Sequence, residues 1–330
     1  MPKHGKFLAL ILSALVLFTV YVSLLPAAHA AEPSFQEKSL SVLSDVVGLK
    51  TEQYTISKSS QREDTLLDFP QQIVDLHLTS AGSTVRVTCS YVKDTLQTVY
   101  ISDLEDNLKL KQPAANTVDM AKSLLSSYQR ESGNAVYGEF ASMLNGVVEG
   151  ESVAKVVGDV KLEVSSPQQN TSSYMWTYVD ANGVVAEKKN VILTYESGML
   201  KAFYNNWALY TIADTVPKLS AQDATKLAIE ASKNFSYTVT DVNGTEISVS
   251  GFSIAPESLG YAKLIYVNSK EQVFARGGDP YRMYLAWHVP LGFDRFYPGD
   301  VSGLTVILWA DTGEVCGMDR VILNSRFALS

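Results

Sequence analysis

Cysteine is nearly missing from this chain: Cys89 and Cys316 are the only two in 330 residues. A disulfide framework is therefore excluded. Two readings of the pair stay open. One is a single long-range bridge in an oxidising compartment, and the other is two buried thiols, because Cys89 falls on the inward phase of an alternating strand pattern. Histidine is scarce too, with only His77 and His288 beyond the first thirty residues. Neither belongs to an H-E-x-x-H pair, so zinc ligation has no sequence support, and His288, beside Trp287, reads as a packed or edge histidine. No G-x-S-x-G elbow is present. ARGGDP (275–280) lacks the lysine and the helix start of a phosphate loop and reads as a turn. No catalytic set, cofactor site or metal site is expected. Positive charge is also in deficit. Removing Lys3 and Lys6 with the first thirty residues takes the formal net charge from −8 to −10, which excludes a nucleic-acid partner.

What is present begins at the N-terminus. Lys3 and Lys6 precede an uncharged run, Phe7–Leu25, which is followed by Pro26 and the A-x-A pattern Ala28-His29-Ala30. A basic start, an apolar run and a small-residue cleavage site describe a secretory signal. The run is also close to the ~20 apolar residues that cross a membrane. Residues 1–30 are therefore a signal peptide or an N-terminal anchor, and the rest is expected to be extracytoplasmic, secreted or anchored. Membrane contact is expected only through this segment.

The remaining residues use one unit more than once. Thr117, Ala121, Leu124, Leu125 and Tyr128 correspond to Ser220, Ala224, Leu227, Ala228 and Ala231, all at an offset of 103. In each set Ser or Thr is read as the N-cap of an amphipathic helix, with Asp223 completing an acidic capping box in the second. Pro113 and Pro217 punctuate the approach to the two helices. Downstream of each lies a tryptophan strand, YMWTYV and YLAWHV, and then a VIL strand ending on a glycine-tipped turn. There Val191 matches Val306 and Gly198 matches Gly313 at an offset of 115. The second copy has gained residues in its loops, some in GFDRFYPGDVSG. A third, worn copy is read at the start: Ser34 and Glu37 form a capping box before Leu40, Leu43 and Val47, with Val46 beside the stripe. Val85, Val87, Cys89 and Tyr91 then alternate as a half-buried strand. The expected architecture is α+β, with one helix packed on an antiparallel sheet in each of the segments 31–112, 113–216 and 217–330.

Two features invite a functional reading. Asp311-Thr312-Gly313 follows an apolar strand, as the catalytic carboxylate of an aspartic peptidase does, and Glu196 holds the equivalent place in the other copy. A shared-proton pair requires near-identical geometry. Glu and Asp differ by a methylene, however, and Met199 and Glu314 follow the glycines where small residues belong. Turn chemistry explains both sites better. The second feature is aromatic: Tyr204, Trp207 and Tyr210 are the candidate binding surface, whereas Trp176 and Trp287 are read as core. Three N-x-S/T triplets, at Asn170, Asn234 and Asn243, suit an exported surface.

LSAQDATKLAIEAS (219–232), a tryptophan strand and ILWADTGEV (307–315) together resemble a PepSY domain. The likeness runs over 217–325 and partly over 113–212, where Glu196-Ser197-Gly198 replaces the Asp-Thr-Gly turn. Trp309 departs from it, standing where that turn usually has its Asp. As a whole the chain looks like a group of exported archaeal-type proteins built from PepSY-like repeats. The resemblance implies non-catalytic modules, known from the propeptides of thermolysin-like peptidases and from stand-alone exported proteins. With no zinc motif after the last unit, a propeptide role in cis is not expected. It therefore points to an exported binding protein with a protein partner, a peptidase among the candidates. The rival expectations are a structural envelope module and a hydrolase using Asp311 and Glu196.

Overall fold

The computed structural model describes residues 33–322, apart from 67–68, 106–107, 112–115, 169, 214, 241–242, 269–275 and 277–278. The signal or anchor segment lies outside these residues, as do Pro113 and half of ARGGDP. No described helix is long and apolar enough to cross a membrane.

The chain opens with α1 (Phe35–Ser41), which runs on through a π-helical turn at Val42–Val46. Its capping box is reciprocal: the Glu37 amide donates to Ser34 Oγ at 3.3 Å, and the Ser34 amide donates to Glu37 Oε2 at 2.8 Å. An antiparallel meander follows, β1 (Thr55–Leu66), β2 (Phe69–Ser80), β3 (Ser83–Val92) and β4 (Thr95–Glu105). Next come α2 (Thr117–Ser132), α3 (Val136–Met143) and a second meander. This comprises β5 (Val153–Val157), β6 (Val160–Gln168), β7 (Thr171–Val179), β8 (Val185–Glu196) and β9 (Met199–Asn205). The last part contains β10 (Thr211–Ile212), α4 (Ala221–Ser232), the hairpin β11 (Ser236–Thr240) and β12 (Glu246–Ser250), and then β13 (Lys263–Asn268), β14 (Arg282–Tyr297), β15 (Val301–Trp309) and β16 (Val315–Ile322). Every pairing except β10 with β14 is antiparallel, and the class is α+β.

The two meanders are one sheet. Pairing of β4 with β9 through Thr98↔Tyr204, Val99↔Phe203 and Tyr100↔Ala202 gives nine strands in the order β1-β2-β3-β4-β9-β8-β7-β6-β5. Segments 31–112 and 113–216 are therefore fused edge to edge. The other large sheet runs β10-β14-β15-β16, with β13 also on β14. Alternation along each strand sends one set of side chains to the helices. On the nine-stranded sheet Val87, Cys89, Trp176 and Leu193 meet Leu43, Leu125 and Phe140, all fully buried. Each such aliphatic or phenyl group contributes roughly 1.5–3 kcal/mol by leaving water. In the second core Ala224 and Ala228 bring α4 close to Trp287, Val306 and Leu308.

Two helix details differ from the sequence reading. Asn116, not Thr117, caps α2, its side-chain oxygen accepting from the Asp119 amide at 2.9 Å. Thr117 is instead buried, its hydroxyl 2.7 Å from both Glu149 Oε1 and Tyr174 Oη. Leu227, placed on the apolar stripe of α4, is 40% exposed; it reaches over Gly313 instead of into the core.

A buried polar knot fastens the helices to the sheet junction. Asn205 Nδ2 donates to the Leu96 carbonyl and to Tyr128 Oη, both at 3.0 Å, and Tyr137 Oη donates to Asn205 Oδ1 at 2.9 Å. Cys89 and Cys316 are free thiols, fully buried in separate apolar clusters, so the long-range bridge is not formed. Burial pushes both thiols up to about 12 from the ordinary 9.0.

Asn205→Ala would remove three hydrogen bonds of this knot, taking the Asn205 acceptor from the Tyr137 hydroxyl and leaving the Leu96 carbonyl only the 3.4 Å bond from Tyr128 Oη. It is expected to lower the unfolding free energy by about 3 kcal/mol, read by urea denaturation. The thiols give a pH signature. Because folding raises their pKa, their contribution is complete below pH 9 and is lost as pH rises toward about 12. The urea midpoint is expected to fall more steeply between pH 9 and 11 in the wild type than in Cys89→Ala. In the native protein neither thiol is expected to react with a soluble disulfide reagent at pH 8.

Candidate functional site

The two acidic turns are built as turns. Glu196 pairs with Met199, leaving Ser197 and Gly198 as a two-residue loop with φ of 50° and 76°. Two successive positive φ values are what a tight hairpin with matching twist requires. Gly313 also has φ 76°, and a Cβ there would lie 2.7 Å from Leu227 Cδ1, so its turn closes against α4. The carboxylates belong to different sheets, and each has its own cation. Lys201 Nζ lies 3.5 Å from Glu196, and the Arg276 guanidinium bonds Asp311. Partial burial pushes the Asp311 carboxyl upward, but the Arg276 hydrogen bond and charge outweigh it and hold the group below 3.8. A shared-proton dyad requires two carboxylates side by side, and these two stand on different sheets, each beside its own cation.

Of the three aromatic candidates, the structure leaves one on the surface. Trp207 and Tyr210 are both 8% exposed. Trp207 packs edge-on against Phe140 at 4.8 Å, and Tyr210 against Tyr281 at 5.6 Å. Lys189 Nζ holds the loop between them, donating to the Trp207 carbonyl at 2.7 Å and the Tyr210 carbonyl at 2.6 Å. Desolvation pulls that lysine down to about 8. These two rings therefore brace the joint between the sheets. The apolar spacing in FYNNWALY carries no signal that separates such a brace from a surface.

Tyr204 is 37% exposed, and the register shows what surrounds it. On the face of the nine-stranded sheet turned away from the helices, one row across the strands runs Ser90, Thr98, Tyr204, Ile192, Met175 and Glu163. The next row runs Thr88, Tyr100, Ala202, Thr194 and Ser173. Tyr100 is also 37% exposed, and Ile192 and Met175 are half-buried. A register shift opposite Thr194 and Tyr195 inserts Lys201 into β9. A bulge of this kind re-aims a side chain, and here the ammonium sits 5.6 Å from the Tyr100 ring centroid. The result is a short strip of two tyrosines, an isoleucine and a methionine, bordered by hydroxyls and by the Lys201–Glu196 pair. Such a strip offers stacking area and hydrogen-bond partners but no nucleophile–base pair.

The other concavities are less selective. A cavity of about 660 Å³ lies between the π-helical turn and α2, and one of about 490 Å³ lies nearer Pro33 and Tyr137. The larger mixes Asp45, Asp119 and Glu131 with Lys111 and Arg130, so it favours no sign of charge. Tyr195 Oη at its edge has no hydrogen-bond partner among the described residues. His288 is half-buried, its Nδ1 has no hydrogen-bond partner among the described residues, and desolvation and Lys263 hold its pKa down. Among the described residues no group of three or more His, Cys, Asp or Glu side chains could hold a metal ion.

Asp311→Asn is expected to cost about 1 kcal/mol of stability at pH 7. Since folding lowers this pKa, the contribution is present above 3.8 and is lost as pH falls through the folded value, so the difference between the two proteins in thermal unfolding shrinks steadily as the solution is acidified below 3.8.

No family model and no curated protein sequence matches this chain. Among solved structures, the Bacillus megaterium YpeB C-terminal domain is similar at a TM-score of 0.30 and 12% identity, over 86% of this chain and 97% of that one. A likeness that loose carries no argument.

Proposed function

We propose that this chain is an exported, non-catalytic binding protein of tandem PepSY-like units, which engages a protein partner through the open face of its larger sheet. The observation that carries this reading is the Tyr100–Tyr204 strip, uncovered beside Ile192 and Met175 and framed by polar groups. Interface centres favour tyrosine and methionine over small polar residues. The signal-like N-terminus supports a partner outside the cytoplasm, and the PepSY-like sequence makes an extracytoplasmic peptidase the first partner to test. Binding would regulate such an enzyme in trans. The separated, cation-paired carboxylates favour this over hydrolysis.

The test is binding and inhibition of exported peptidases from the same host by the intact protein. Tyr100→Ala combined with Tyr204→Ala is expected to weaken binding at least tenfold, with an almost unchanged urea midpoint because both rings are partly exposed. Absence of binding and of inhibition across those enzymes would refute the regulatory role.

A further inference from the structure

Three asparagines in this chain begin an N-x-S/T triplet, and the structure exposes all three. Asn170 sits at the tip of the β6–β7 hairpin, Asn234 in the turn that leaves α4, and Asn243 in the connection from β11 to β12. The buried asparagines Asn190, Asn205 and Asn268 are followed two residues on by Ile192, Trp207 and Lys270, so none of them starts such a triplet.

The three are not equivalent. Ser172, which completes the Asn170 triplet, lies inside β7 at 9% exposure, paired with Tyr195. The Asn170 carbonyl also accepts from the Ser197 amide at 2.8 Å. By contrast Asn234 and Ser236 are exposed, and Asn243, Gly244 and Thr245 are exposed throughout. The first triplet ends on Ser236, the first residue of β11, and the second follows the end of that strand. Among the described residues the β11–β12 ribbon is a sheet of two strands with no third strand hydrogen-bonded to either outer edge, and Ile247 on it is 41% exposed. Open edges invite pairing with other chains unless something bulky covers them.

We propose that Asn234 and Asn243 are N-glycosylation sites whose glycans shield the β11–β12 ribbon, and that Asn170 is not an acceptor. The donor is a glycan carried on a polyprenyl phosphate or pyrophosphate. The side-chain Nδ2 forms a bond to the anomeric carbon, and the bond from that carbon to the phosphate oxygen breaks. The lipid phosphate leaves with the electron pair, and the amide releases one proton. The proposal rests on export, because the acceptor must reach the compartment where such donors face outward.

Tryptic peptide 234–263 contains both sites. Mass spectrometry of the full-length protein from its own host is expected to find this peptide carrying two glycans, assigned by fragmentation to Asn234 and Asn243. Asn234→Gln, Asn243→Gln and Thr245→Ala are each expected to remove one glycan, and Thr245→Ser to retain both. Recovery of the exported protein with this peptide only at its bare mass would overturn the proposal and leave export standing. Recovery of the protein solely from the cytoplasm would overturn both. A glycan on Asn170 would overturn its exclusion.

Discussion

The pairing of β4 with β9 is the joint on which this molecule depends. Three residue pairs turn two meanders into one nine-stranded sheet, and the side chains at that joint serve both faces. Inward, Val99 and Phe203 enter the main core, while Asn205 ties the joint to α2 and α3. Outward, Tyr100 and Tyr204 come to lie diagonally across it. Without this seam each meander would bury its helix but have an unsatisfied edge, and the two tyrosines would belong to separate surfaces.

Burial explains why polar groups at the seam act as structure and not as chemistry. Desolvation pushes the Tyr137 hydroxyl up to about 12, and Tyr128 rises further still, so both stay protonated and donate or accept as neutral partners. Lys189 shows the opposite sign of the same effect: removal from water disfavours its charge, while the carbonyls of Trp207 and Tyr210 accept its hydrogens whichever form is present. Polar residues in a water-poor layer are fixed by the bonds they make.

Much of this was legible locally. The Ser34–Glu37 box, the Ser220 cap, the alternation from Val85 to Tyr91 and the burial of Trp176 and Trp287 all follow from patterns a few residues long. The glycine turns were legible for the same reason, since positive φ leaves few residue choices. The failures are non-local. Nothing near Thr98 announces Tyr204 as its neighbour, because strand pairing across a hundred positions leaves no periodic trace in either strand. Trp207 and Tyr210 were misplaced on the surface because their burial is supplied by Phe140, Lys189 and Tyr281, from elements distant in sequence. Thr117 was mistaken for a cap since Asn116, one residue earlier, is equally suited to the task.

The clasp between Tyr281 and Leu66 extends this point to how the chain assembles. The Tyr281 hydroxyl donates to the Leu66 carbonyl at 2.6 Å across 215 positions, where β1 ends. Its ring also lies 5.2 Å from Phe69 and 4.9 Å beneath the Lys93 ammonium. A strand made early is thus anchored by a residue made late. The hairpin of β1 and β2 is paired locally along its length, but closing a loop this long is entropically slow, so the clasp on its end can form only once nearly the whole polypeptide has been synthesised.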